Sequence, residues 1–310
     1  MKIEASAPAN IALIKYMGKT QVDINRPSNA SLSYTLEHLR SFVTMEECTG
    51  EDCWAPLPGF TELRLSEMGK RKFLNHFTRL KSHWNIGGSY RVCSSNNFPA
   101  DCGIASSASS FAALTIAAHE LALRKGLNRC DLPIELSRLS RLGSGSSCRS
   151  FFTPWALWQD QGAEALNLKV RLEHAVIIAG DDKKSVSSSE AHKRVPSSLL
   201  FQGRKERAEL RLARLIPALR GGDWSEAFEL CWSEMWDMHA LFATSRPAFQ
   251  YMNSGSLEAL DRLLKVWREA EDGPLVTMDA GPNVHILLRA DQLPQADGWL
   301  KGFTAIKSWA

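Results

Sequence analysis

Residues 96–108 read Asn-Asn-Phe-Pro-Ala-Asp-Cys-Gly-Ile-Ala-Ser-Ser-Ala, small and hydroxyl-bearing residues that pass straight into an apolar-periodic segment. Phe111, Leu114, Ala118 and Leu121 recur at i, i+3, i+7 and i+10, which predicts an amphipathic helix from Ser107 to about Leu123, ended near Gly126. The start of that helix carries the chemistry. Unpaired backbone N–H groups and about half a positive charge sit there, and Gly, Ala and Ser let an anion approach the backbone closely. That geometry suits a phosphate. Ser106 and Ser107 offer hydroxyl donors, with Ser106 the candidate ligand for the magnesium of a bound nucleotide; an ordinary serine-capped helix is the plainer reading.

The chain has 310 residues, 37 basic and 34 acidic side chains and 44% apolar residues, which predicts a folded globule of about two domains rather than a disordered tail. Folding at this length buries roughly 75% of the unfolded chain's surface, so disulfides are not needed to make a core. Seven cysteines, at 48, 53, 93, 102, 130, 148 and 231, show no zinc-ligand spacing. They read as reduced thiols in a cytoplasmic protein without a structural metal. No stretch of about 20 apolar residues occurs, so neither secretion nor membrane spanning is expected. A net charge of +3 does not single out nucleic acid and is compatible with a small anionic ligand.

Near residue 170 a Gly/Ser-rich first part gives way to charged helical patterns, dividing the chain into domains 1–170 and 171–310. The short apolar run Ala175–Ala179, closed by Gly180, predicts a buried strand. Helices follow at about 203–219, 223–242 and 256–271, and the turn-forming Asp279-Ala280-Gly281-Pro282-Asn283 leads into a strand over Val284–Leu288. Mixed elements without regular βαβ alternation indicate the α+β class. Arg204, Lys205, Arg207, Arg211 and Arg214 suggest a basic-helix binding module, but interleaved Glu206 and Glu209 make a solvated face the expected outcome. The Trp232–Trp236 segment is expected in the core, and His239 either contacts substrate or packs.

Three further segments carry candidate site residues. In Gly143-Ser144-Gly145-Ser146-Ser147-Cys148-Arg149-Ser150, one helical turn would place Ser146 and Arg149 on one face. The arginine fork matches carboxylate or phosphate oxygens, so the block reads as a second anion site or, alternatively, as a flexible loop. Asp279, in its tight turn, is a carboxylate that could be held rigidly to accept a hydroxyl proton, or simply a turn residue. Lys15, Tyr16 and Lys19 follow the apolar Ile11–Ile14 and could neutralise an anionic substrate.

Taken jointly, these blocks resemble the mevalonate diphosphate decarboxylases of the GHMP kinase superfamily. Ala7-Pro-Ala-Asn-Ile-Ala-Leu-Ile-Lys-Tyr16, Asn29-Ala-Ser-Leu-Ser33, the Asn-Asn-Phe-Pro loop, the Gly-Ser-Gly-Ser block with Arg149 and Met278-Asp-Ala-Gly-Pro-Asn283 occur in the family's order. The resemblance covers most of residues 4–36, 91–160 and 174–190 and patches of 225–290, but not 40–90 or the last 20. It implies a two-domain fold, ribosomal-protein-S5-like then ferredoxin-like, with the active site between the domains and homodimers common. It also implies ATP-dependent decarboxylation of mevalonate diphosphate, with ATP and magnesium as cofactors.

By resemblance, Asp279 would orient or deprotonate the substrate hydroxyl, Lys15 would stabilise charge and Arg149 would hold the carboxylate or diphosphate. Tyr16, Lys19, Ser144, Gly145 and Ser146 would bind substrate. Asn96, Pro99, Gly103, Ala105, Ser106 and Ser107 would hold the nucleotide, and Ser188 would approach its γ-phosphate. Two positions depart from the family: Asp101 stands where the phosphate loop usually has Gly or Ala, and Met17 replaces a common Trp. A phosphomevalonate decarboxylase, a mevalonate 3-kinase and a catalytically silent nucleotide or metabolite sensor stay open as alternatives.

Overall fold

From Ala7 to Ile14 the chain is apolar at every position except Asn10 and buried at every position, a pattern that requires cover on both faces of a strand. A computed structural model describes residues 1–60, 65–99, 106–127, 130–160, 162–180 and 185–309 and supplies that cover from both halves of the chain. The first half contains β1 (Lys2–Ile14), β2 (Lys19–Gln21), β3 (Arg26–Pro27), β4 (Ser31–Cys48), β5 (Cys53–Pro56), α1 (Glu67–Trp84) and β6 (Ser89–Asn96). Next come α2 (Ser106–Arg124), α3 (Pro133–Gly143), a 3-10 helix over Gly145–Phe151, β7 (Trp155–Gln159) and β8 (Gly162–Ala165).

The 18-residue β4 organises the first sheet. It pairs antiparallel with β1 along one edge, and on the other with β7 near its start and β6 near its end. Pro8 sits at a register shift in β1, where a missing N–H is tolerated. The expected amphipathic helix is present as α2. Its four periodic residues are buried, and so are Ala112, Ala113 and Ala117, because α1 and α3 cover the face turned away from the sheet.

The second half contains β9 (Glu173–Ile177), α4 (Ser188–Arg194), α5 (Arg204–Gly221), α6 (Trp224–Thr244), α7 (Ser254–Ala270), β10 (Leu275–Thr277), β11 (Val284–Leu288), α8 (Leu293–Leu300) and β12 (Ala305–Lys307). The strands form one antiparallel sheet in the order β10-β11-β9-β12. The strand expected at 175–179 lies two residues earlier, since β11 and β12 pair with Glu173–Ile177. The α+β class is as expected. A single apolar cluster runs through the seam, joining Ile11, Leu13, Ile14 and Leu32 of the first half to Val176, Ile177, Met235 and Ile286 of the second. The site residues after Ile14 are therefore delivered into the junction between the two sheets.

Two expectations are corrected. The basic face of α5 is only partly solvated: Lys205 and Arg214 are exposed, but Arg204 is 1% exposed and bonded to Glu234 and Asp237 of α6, with Arg207 bonded to Asp237 and Arg211 to both. Interleaved glutamates along α5 suggested a solvated face; Lys205 does pair with Glu209 there, whereas the partners of Arg204 sit on a neighbouring helix. The Trp232–Trp236 segment is not core throughout, because α6 turns Met235 and Met238 inward and leaves Trp236 38% exposed.

Candidate active site

Lys15 emerges from the buried end of β1 and is 1% exposed. Its Nζ donates to Asp279 Oδ1 at 2.6 Å, bridging 264 positions of sequence. Asp279 lies just beyond β10, in a turn locked from several sides. Gly281 N donates to its carbonyl at 2.9 Å, Ser256 Oγ donates to Pro282 O at 2.5 Å, and Ala179 N donates to Asn283 Oδ1 at 2.9 Å. Burial alone would raise the Asp279 pKa, but the Lys15 ammonium, through charge and hydrogen bond, holds it below the usual carboxylate range. The carboxylate is therefore an ionised proton acceptor at neutral pH. Burial pulls Lys15 the other way, down from the ordinary lysine value, against the opposing pull of Asp279.

The backbone of Lys15 is held as firmly as its side chain. Its N–H donates to Glu234 Oε1 at 2.9 Å, and its carbonyl accepts from Asn29 Nδ2 at 2.9 Å and Arg204 Nη2 at 3.4 Å. Glu234 is fully buried. The buried Arg204–Glu234 pair thus fixes the peptide that carries the ammonium.

The Gly-Ser-Gly-Ser block folds as the 3-10 helix after α3. Three residues per turn eclipse positions i and i+3, so Ser146 and Arg149 share one face. Arg149 is buried, and its guanidinium is aimed by Nε donating to Asn10 Oδ1 at 3.1 Å and Nη1 donating to Ser31 Oγ at 2.8 Å. Gly145 is required by close approach: a Cβ there would lie 2.6 Å from the Tyr16 hydroxyl oxygen. The Tyr16 ring is wedged between Trp158 and His192, each centroid 4.4 Å away.

One cavity collects Lys15, Tyr16, Lys19, Ser106, Ser107, Ser144, Gly145, Ser146, Arg149, Ser188 and Asp279. Its far end is cationic. Lys19 donates to Asn25 Oδ1 at 2.6 Å, and burial together with Lys72 and Lys193 lowers its pKa to about 8. Met17 is buried against Val186, Ala191 and Met238, so it keeps the apolar contact expected of that position.

Asn96 and Pro99 are not among the described residues that line the cavity. Asn96 is buried in β6, where its Oδ1 accepts from Ser41 Oγ at 2.6 Å, and Pro99 is exposed. Asp101, Gly103 and Ala105 lie outside the described residues. His239 is buried beside Asp279 and edge-on to Phe242. Sequence reasoning missed Asn25, Lys72 and His192, which also line the cavity. Asn25 carried a usable signal, in a turn-forming Asp23-Ile24-Asn25-Arg26-Pro27 run. Lys72 comes from α1, inside the stretch that matched no motif.

The arrangement joins a proton-accepting carboxylate, a buried ammonium, an oriented guanidinium and hydroxyl donors at the start of α2. Such a site can take a proton from a hydroxyl while cations hold the anionic groups on either side. Among the described residues no group of three or more His, Cys, Asp or Glu side chains could hold a metal.

Known protein families match both halves of the chain. Residues 7–167 match the diphosphomevalonate decarboxylase-like N-terminal domain, and residues 174–309 the mevalonate 5-diphosphate decarboxylase C-terminal domain. The diphosphomevalonate decarboxylase of Aspergillus fumigatus is 33% identical over 91% of this chain and 75% of its own. The crystal structure of a mevalonate diphosphate decarboxylase from Legionella pneumophila is 44% identical, with a TM-score of 0.92 over 99% of this chain and 100% of that one. A second structure, MDDEF in complex with MVAPP, AMPPCP and magnesium, is 30% identical, with a TM-score of 0.87 over 99% of this chain and 96% of its own.

Proposed function

The chain belongs to the diphosphomevalonate decarboxylase family, and from that premise we infer that it converts mevalonate diphosphate to isopentenyl diphosphate with ATP as phosphoryl donor. The observation that carries this reading is the pair of buried Lys15 and half-buried Asp279, 2.6 Å apart, in a cavity that also holds Arg149. A tertiary alcohol leaves poorly as hydroxide, whereas phosphate leaves well. Asp279 accepts the 3-hydroxyl proton as that oxygen takes the γ-phosphoryl group. The C–O bond to the new phosphate then breaks, and the electron pair released by departing carbon dioxide forms the alkene.

Lys15 stabilises charge beside the reacting oxygen, and its contact keeps Asp279 ionised and ready to accept. Arg149, aimed by Asn10 and Ser31, holds the substrate carboxylate or diphosphate with a two-pronged fork. Tyr16, Lys19, Ser144, Gly145 and Ser146 bind the remaining substrate. Ser106 and Ser107 at the start of α2, with Ser188, hold the nucleotide phosphates, and Asn96, Pro99, Gly103 and Ala105 belong to the same proposed loop. Hydroxyls and cations at that end fit a polyphosphate, and the shortage of carboxylates among the described residues there means that magnesium would ride mainly on the nucleotide, with Ser106 as its protein ligand. Magnesium would supply neutralisation of the phosphate charge.

Residues 1–170 and 171–310 are proposed as the two domains, supported by family matches that end at 167 and resume at 174. A homodimer is proposed from the family resemblance. Cytoplasmic residence is proposed from the cysteines, of which the six described are all free. Among the described residues no helix is long and apolar enough to cross a membrane.

Purified protein with ATP and magnesium is expected to release carbon dioxide and phosphate from mevalonate diphosphate in equal amounts, and Asp279→Ala to abolish both without loss of the thermal transition. Production of ADP without carbon dioxide would make the protein a kinase. Faster turnover of the monophosphate in a parallel assay would reassign the substrate.

A further inference from the structure

His192 stands in the last turn of α4, with its ring on that of Tyr16. Its Nδ1 accepts the backbone N–H of Gly18 at 3.0 Å. That N–H has a fixed direction. Gly18 has φ +100°, and a Cβ on it would lie 2.6 Å from Ser28 Oγ and 2.7 Å from the Phe201 ring. A ring nitrogen that accepts carries no proton, so the neutral imidazole must carry its proton on Nε2. Burial, with Lys19 and Lys72 close by, pushes the His192 pKa down to about 3, which keeps the ring neutral across the working range. Among the described residues no hydrogen bond engages Nε2, and it is not a sealed, partnerless atom of the interior.

The ring lines both the reaction cavity and an adjoining basin of about 680 Å³. Lys19, Arg71, Lys72, Arg79 and Lys193 line that basin against the single carboxylate of Asp23. Burial and, after it, the repelling charges of Lys72 and Lys193 already lower the Lys19 pKa. A further positive charge would add to that repulsion, whereas a neutral N–H adds a directed bond without it. Tyr16, Gly18 and Lys19 belong to the segment that follows Lys15, while Ser106 and Ser107 form the wall assigned to the nucleotide. The imidazole contacts Tyr16 and Gly18 of that segment, which sets it on the substrate side of the cavity, one helical turn from Ser188.

We propose that His192, fixed as its Nε2–H tautomer by Gly18, donates a hydrogen bond to the terminal phosphate of the diphosphorylated substrate and so determines specificity for that tail. This inference rests on the decarboxylase reading above. It makes His192 a substrate-binding residue and gives the glycine at position 18 an indirect, positioning role.

The test compares wild type with His192→Phe, which keeps a ring on Tyr16, and with His192→Gln, whose amide can accept from Gly18 and still donate. Affinity for mevalonate diphosphate is measured by calorimetry without nucleotide, alongside steady-state kinetics. A hydrogen bond to a charged acceptor predicts that His192→Phe raises both Kd and KM for mevalonate diphosphate about tenfold or more. KM for ATP and kcat should move less than about twofold, and His192→Gln should recover most of the affinity. An unchanged Kd in a folded Phe variant, or a raised KM for ATP instead, overturns the proposal. Nitrogen-15 shifts of the wild-type imidazole test the tautomer without any substitution, and a proton found on Nδ1 also overturns it. If wild type binds but does not turn over, the decarboxylase reading falls while the comparison of Kd values still decides the role of His192.

Discussion

Replacing Glu234 by alanine should damage stability and catalysis together, and the structure sets the size of the effect. Glu234 Oε1 accepts from Lys15 N and from Arg204, and Oε2 accepts from Arg204 Nη1 and Arg211 Nη1 at 2.9 and 2.8 Å. Truncation leaves a fully buried guanidinium with Asp237, 3.2 Å away, as its remaining carboxylate. It also strands the Lys15 N–H. Deleting one member of a buried ion pair costs about 3–5 kcal/mol, and the surviving Asp237 contact places the Glu234→Ala variant near the lower half of that range.

With an unfolding entropy of about 2.1 cal/mol/K per residue, about 3–4 kcal/mol corresponds to a fall of about 5 °C in thermal midpoint. Differential scanning calorimetry and turnover assays on the same preparation read both effects. The informative control replaces both partners, Arg204→Met with Glu234→Met. An apolar pair of similar volume should restore most of the stability. It cannot restore the acceptor for Lys15 N, so kcat should stay depressed. A midpoint within about 1 °C of wild type for Glu234→Ala, or a double variant that regains full turnover, would refute the claim that this pair positions the catalytic lysine.

Gly145→Ala forces a Cβ to 2.6 Å from the Tyr16 hydroxyl oxygen, and Trp158 and His192 leave that ring little room to yield. Overpacking of about 1–3 kcal/mol should raise KM for mevalonate diphosphate about tenfold, and an unchanged KM would show that Tyr16 moves freely. Affinity for the substrate should be full below about pH 8 and decline as pH rises through it, because Lys19 loses its proton near 8. Lys72→Met removes a cation that burdens Lys19, so the midpoint of that decline should move to higher pH even as overall affinity weakens; a midpoint that does not move would dissociate the limb from Lys19.

Local signals carried much of the architecture. The period of Phe111, Leu114, Ala118 and Leu121 placed α2 almost to the residue, since a packed helix needs an apolar face wherever it docks. The Gly-Ser-Gly-Ser block and the Asp279 turn were readable because tight backbone geometry demands particular small residues. The burial of Arg204 was not readable, because its partners are on α6 and a helix-face pattern shows only its own neighbours. Lys72 and His192 were invisible for the same reason. Nothing near them in sequence distinguishes a lysine or histidine at a cavity wall from one in water. Asn96 is engaged only in part: its Oδ1 accepts from Ser41 Oγ within the sheet, while its buried Nδ2 has no hydrogen-bond partner among the described residues.

The 264 positions between Lys15 and Asp279 bear on how the protein is born. The ammonium leaves the ribosome 264 residues ahead of its counter-ion. Until residue 279 is made, the Lys15 ammonium lacks its hydrogen-bonded carboxylate, so it must stay wetted until the closing turn arrives. A nascent amino-terminal half released early would consequently be an unfinished surface awaiting its complement, and co-expressed halves should regain turnover only by finding each other.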